Sequence, residues 1–152
     1  MTKTSAKPIF ILNGPNLNLL GEREPEIYGS DTLADIEAMC AKKASELGFS
    51  VDFRQTNSEG ELITWIQEAR GAASGIILNA ASYTHTSVGL YDAIVASQIA
   101  VIEVHLSNPY KRETFRHTSY VSPAASGVIC GLGASGYLMA IDGVANLANK
   151  KN

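Results

Sequence analysis

A chain of 152 residues in which 45% are hydrophobic is long and apolar enough for one globular domain with a sizeable core. Lys and Arg number 12 against 15 Asp and Glu, a formal net charge of −3, which argues against a general affinity for nucleic acid or an anionic membrane. An anionic ligand would have to be caught by local cations, and the longest aliphatic or aromatic run near the N-terminus, Ile9 to Leu12, is too short for a signal sequence or spanning helix, so a soluble cytoplasmic protein is expected.

Short apolar runs alternate with amphipathic segments along the whole chain. Ile9 to Leu12 reads as a strand, Leu33 to Leu47 as a helix, Val51 to Phe53 as a strand and Leu62 to Ala69 as a helix. Ile76 to Leu78, Val88 to Ser97, Val101 to Leu106, Val128 to Cys130 and Tyr137 to Leu147 continue the alternation. Strand followed by helix five times over is the pattern of a parallel sheet covered on both faces, and the reading is one α/β domain spanning 1–152. Ser58 with Glu61 predicts a capping box and Thr32 with Asp35 a weaker one, while Gly48 suits a left-handed helix end. The polar ends, Met1 to Lys7 and Asn149 to Asn152, are expected to fray.

About twenty residues separate the first strand from the first helix, whereas connections of this type usually take roughly 2 to 6. Asn13-Gly14-Pro15-Asn16 opens the segment as a turn, and Gly21-Glu22-Arg23-Glu24-Pro25 forms a charged middle without an apolar anchor. Such a loop is expected to be mobile and to act as a lid.

Ligands of open α/β sheets bind outside the carboxyl ends of the strands, so residues after the first, third and fourth strands should meet. Asn16, Arg23 and Tyr28 follow the first strand, Asn79 and His85 the third, and Glu103, His105, Arg112 and Arg116 surround the fourth. Tyr28 is the candidate base. A phenol ionises near pH 10, and a cation such as Arg23 brought close to one favours its phenolate form; Tyr28 packing only as a loop anchor is the alternative. Glu103 and His105 lie two apart in a strand and share a face, so the carboxylate can fix the imidazole tautomer and raise its basicity, as a general acid requires. Arg112 and Arg116, spaced i, i+4, would present two guanidinium groups on one face of a short helix, suited to a carboxylate. His85 lies among hydroxyl residues and, beside Asn79, suits recognition of substrate hydroxyls or carboxylate; His117 reads as surface.

Other signals are set aside. Gly131-Leu132-Gly133-Ala134-Ser135-Gly136 fits the dinucleotide fingerprint, but the chain leaves no room for the strand and acidic partner that should follow, so the glycines are read as close helix–sheet packing. No lysine reads as a desolvated strand-end amine, which makes imine chemistry improbable, and Cys40 and Cys130 read as small hydrophobes. There is no metal-ligand set, and no metal or cofactor is expected.

These residues resemble the type II 3-dehydroquinases, or 3-dehydroquinate dehydratases. The resemblance runs from Ile11 to about Ile141 through Asn13-Gly14-Pro15-Asn16-Leu17-Asn18-Leu19-Leu20-Gly21, Arg23-Glu24-Pro25, Ile27-Tyr28-Gly29, Asn57-Ser58-Glu59-Gly60, Thr84-His85-Thr86-Ser87 and Ile102-Glu103-Val104-His105-Leu106-Ser107-Asn108. It implies a flavodoxin-like five-stranded parallel sheet of order 2-1-3-4-5 with helices on both faces, and trans-dehydration of 3-dehydroquinate to 3-dehydroshikimate through an enolate. In that scheme Tyr28 takes the C2 proton, Arg23 stabilises its phenolate, and His105, oriented by Glu103, protonates the departing hydroxyl. Asn16 holds a water against the enolate oxygen. Asn79, His85, Arg116 and Leu106-Ser107 bind substrate, Arg112 supports the charged pocket, and Asp92 serves across a trimer interface within a dodecamer. Aromatic biosynthesis and quinate breakdown both remain open as the pathway served. A receiver domain or flavin carrier is the alternative class; the first would need acidic residues where Asn13 and Asn16 stand, the second a Ser/Thr-rich phosphate loop there.

Overall fold

The computed structural model describes residues 6–150. Five parallel strands, β1 (Ile9–Asn13), β2 (Val51–Gln55), β3 (Gly75–Asn79), β4 (Val101–His105) and β5 (Gly127–Cys130), form one sheet in the order β2-β1-β3-β4-β5, the flavodoxin-like order expected. Strand side chains alternate between two cores. Ile9, Ile11, Ile77, Ile102 and Val104 face α2 (Leu33–Glu46) and α5 (Ser135–Lys150), whereas Phe10, Leu12, Ile76, Leu78 and Val101 face α3 (Glu59–Ala69) and α4 (Val88–Ser97). β1, β3 and β4 are buried along their whole length, which explains their unbroken apolar runs.

The two capping devices exchange rank. At Thr32 the hydroxyl accepts the Asp35 N–H and the Asp35 carboxylate accepts the Thr32 N–H, a full reciprocal box. At Ser58 the hydroxyl accepts the Glu61 N–H, but the Ser58 N–H goes to Thr56 Oγ1, so Glu61 has no donor to answer. Capped by Ser58, α3 begins at Glu59, a turn before the expected Leu62; that first turn is polar and so carries no apolar periodicity. At the C-terminal end, α5 runs on through Asn149 and Lys150, against the expectation of fraying there. Pro8 and Lys7 are held too, their carbonyls accepting the Ser74 N–H and hydroxyl; the rest of the expected fray, 1–5 and 151–152, lies outside the described residues.

The carboxyl ends of β1 and β3 are locked by a buried polar chain centred on Tyr137 of α5. Asn79 Nδ2 donates to Tyr137 Oη at 2.8 Å, and that hydroxyl donates to Asn13 Oδ1 at 2.7 Å. Asn13 Nδ2 donates in turn to the Arg54 carbonyl at 2.9 Å, tying in β2. Tyr137→Phe would leave two buried amides each short of a partner, and an unsatisfied buried group costs about 1–3 kcal/mol. The urea midpoint should fall accordingly, with the denaturant slope unchanged; a midpoint equal to that of the parent would mean the chain holds nothing together.

Candidate active site

Directly above that lock, the loops after β1, β3 and β4 enclose a cavity of about 230 Å³. Asn16, Arg23, Tyr28, Asn79, His85 and His105 line it, together with Leu106, Ser107, Arg112 and Arg116. Glu103 stands behind His105 rather than in the wall. Asp92 is exposed on α4 and lies away from the cavity. The first and third strand ends come this close because Gly14 has no side chain: a Cβ there would stand 2.5 Å from the Ala80 carbonyl oxygen. The Gly14 N–H donates to the Asn79 carbonyl at 2.8 Å across the same gap.

The long first loop is less free of structure than its charge suggests. Leu17 and Leu20 are buried in the α2/α5 core, and a helical turn, α1 (Pro25–Tyr28), starts with proline at its first position. Tyr28 ends that turn with two guanidinium groups over its ring, Arg23 at 4.9 Å and Arg112 at 5.1 Å from the ring centre. It also packs against the core edge while lining the cavity.

Arg112 and Arg116 do not share a helix. Two short 3₁₀ turns, Pro109–Lys111 and Thr114–Arg116, are separated by an extended Arg112, and the i, i+4 spacing therefore carries no helical meaning here. Both still reach the cavity. Glu113 accepts from Arg116 Nε at 2.6 Å, and His117, exposed as expected, donates from Nε2 to the Arg112 carbonyl at 3.1 Å.

Glu103 and His105 do share a face, with His105 Nε2 at 2.5 Å from Glu103 Oε2. An ionised carboxylate only accepts, so Nε2 carries the hydrogen and Nδ1 is the nitrogen left to exchange a proton. Glu103 is 1% exposed. Burial alone would raise its pKa, but the bonds from His105, Ser122 and Ser119 outweigh that and hold the carboxyl below its ordinary 4.5. Both serines come from the irregular segment before β5, where nothing in a polar loop marks them as carboxylate donors; the sequence reading passed them over. A depressed carboxyl stabilises the fold above its unfolded value and loses that contribution as pH falls through the folded one. The parent should therefore lose stability below pH 4.5 more steeply than Glu103→Gln, measured by urea midpoints between neutral and acidic pH. Equal slopes would mean that Glu103 is not the depressed group.

His85 Nδ1 lies 2.8 Å from the Thr118 carbonyl, which can only accept, leaving Nε2 as the acceptor. Burial first, then the neighbouring His105 and Arg116, lowers its pKa and favours neutral imidazole. Asn16 occupies the left-handed region at φ 69°, a conformation that costs a non-glycine residue of order 1 kcal/mol and that asparagine tolerates better than most. Asn79 presents less than expected, since Nδ2 serves Tyr137 and Oδ1 accepts the Ala81 N–H at 3.1 Å. Of its two N–H donors and two acceptor positions, one donor and one acceptor thus remain for a ligand.

Gly131 and Gly133 have positive φ, and their N–H groups donate to the carbonyls of His105 and Leu106, so the fingerprint glycines mainly shape the turn into α5. The close helix–sheet packing expected of them is found at Gly136, buried in α5, where a Cβ would stand 3.4 Å from Ile129 and 3.6 Å from Val104; Gly143 comes closer still, its Cβ position 2.6 Å from Ile102. Among the described residues no lysine lines the cavity, and no group of three or more His, Cys, Asp or Glu could hold a metal. Cys40 is fully buried, and burial pushes its thiol up to about 12. No helix among the described residues is long and apolar enough to cross a membrane.

A family model for class II dehydroquinases matches residues 7–145. The 3-dehydroquinate dehydratase of Dinoroseobacter shibae is 60% identical over 136 residues, covering 90% of this chain and 91% of that one. That of Streptomyces avermitilis is 60% identical over 149 residues, covering 97% and 94%. Among solved structures, the type II dehydroquinase of Propionibacterium acnes superposes with a TM-score of 0.89 at 42% identity, covering 95% of this chain and 99% of its own.

Proposed function

Since the chain belongs to the class II dehydroquinase family and is a lyase that dehydrates 3-dehydroquinate, we propose that it does so by trans elimination through an enolate, with Tyr28 as base and His105 as acid. The observation that carries this reading is the Tyr28 ring beside Arg23 and Arg112 in the same small cavity as a histidine backed by a buried carboxylate. Acting as base through its phenolic oxygen, Tyr28 takes a proton from C2 of the substrate. The electron pair of that C–H bond moves into the adjacent C3 carbonyl as an enolate, with Asn16 holding a water against the oxygen. Collapse of the enolate forms the C1–C2 double bond and breaks the bond from C1 to its hydroxyl. That hydroxyl leaves as water with a proton from His105, which Glu103 orients. His85, Asn79, Arg116, Leu106 and Ser107 line the wall and bind substrate hydroxyls and carboxylate.

The chemistry asks nothing of a metal or cofactor. The enzyme should also work as a dodecamer of four trimers in which Asp92 completes a neighbouring site. In support, Asp92 is exposed on the outer face of α4 between exposed Val88, Tyr91 and Val95, a face that a second copy would cover.

Adding 3-dehydroquinate to the purified protein alone should raise ultraviolet absorbance as the conjugated product forms. With substrate deuterated at one C2 position, the hydrogen anti to the departing hydroxyl should be lost. Loss of the syn hydrogen would overturn the trans elimination, and a borohydride-trapped lysine adduct would overturn the enolate reading.

A further inference from the structure

Asn16 is held from outside the cavity. Its N–H donates to Asn57 Oδ1 at 3.0 Å, across from the loop that follows β2. A backbone N–H only donates, so the Asn57 amide must turn its oxygen toward Asn16. Gln55, the last residue of β2, backs this arrangement: its Nε2 donates to Asn57 Oδ1 at 3.2 Å and to the Gly14 carbonyl at 3.2 Å. The Gly14 bond fixes the Gln55 amide in the same way. Asn57 itself is fastened by Tyr83, whose hydroxyl donates to the Asn57 carbonyl at 2.7 Å from the turn that also carries His85.

The arrangement has a physical purpose. Asn16 sits in a left-handed conformation, and rotation of its peptide out of that conformation would swing its side chain away from the cavity it lines. Asn57 does not line the cavity, so whatever it does for the reaction it does through Asn16. We infer that Asn57, steered by Gln55, is a positioning residue that clamps the Asn16 peptide and so aims the Asn16 amide at the water that meets the enolate oxygen. This rests on the role given to Asn16 above. An interaction needed only as negative charge develops changes kcat and leaves KM alone.

Asn57 is exposed, so its replacement leaves the core intact. Asn57→Ala should lower kcat about tenfold with KM within about twofold of the parent, the scale of one misaligned polar contact. Asn57→Asp keeps an oxygen acceptor at the same place and should restore most of that loss. The double variant Asn16→Ala/Asn57→Ala should be no slower than Asn16→Ala, since the clamp then has nothing to aim. Gln55→Ala should give a smaller kcat loss of the same kind, and it serves where Asn57→Ala does not fold. Parent-like turnover in Asn57→Ala beside a slow Asn16→Ala would overturn the clamp alone, as would multiplying losses in the double variant. Parent-like turnover in Asn16→Ala would overturn the role of Asn16 and the clamp with it.

Discussion

Tyr28→Phe should lower kcat by about 10³-fold while substrate still binds. The change removes one oxygen and nothing else. The ring that lies 4.9 Å from Arg23 and 5.1 Å from Arg112 is kept, as are the contacts by which α1 closes over the core edge. Phenylalanine retains most of the attraction to a cation over its face, so the lid has no reason to open. Loss of the proposed base sets the expected rate: a positioned proton acceptor contributes typically 10²–10⁴-fold, and 10³-fold corresponds to about 4 kcal/mol of barrier. Steady-state turnover followed by product absorbance, with calorimetric binding of a substrate analogue, measures both halves. Turnover within about tenfold of the parent would assign the proton transfer to another group. Lost binding with intact turnover would make Tyr28 a recognition residue.

His105→Ala should cost about 10²-fold or more in kcat, the scale of a single general acid. A second effect comes from the partner left behind. Glu103 stays buried with only Ser119 and Ser122 as donors, and stranding a buried charge costs roughly 3–5 kcal/mol. The variant should therefore be both slow and less stable, and the two effects separate on pH. Lowering pH protonates Glu103 and should narrow the stability gap to the parent, whereas turnover should stay low throughout. Should turnover remain within a few-fold of the parent, His105 is a structural partner of Glu103 and the proton comes from elsewhere.

Periodicity alone determined the five β-α repeats and the two-faced sheet, because burial on both sides of a strand demands an unbroken apolar run and a packed helix demands a 3.6-residue stripe. It determined as well that Glu103 and His105 face one way, since a strand repeats every two residues whatever surrounds it. The cluster could be placed because ligand sites of such sheets gather at the strand ends. Only the tertiary structure decided what each of those residues touches. Arg112 and Arg116 reach the cavity from two separate turns although their spacing imitates a helix. Ser119 and Ser122 meet Glu103, Tyr137 meets Asn13 and Asn79, and Asn57 meets Asn16, in pairs between 16 and 124 residues apart for those bonded directly. No local pattern marks such partners. A serine in a polar loop and a tyrosine at the head of an apolar helix look the same whether or not a buried group waits opposite them, and what waits opposite is set by how the sheet twists and its helices pack.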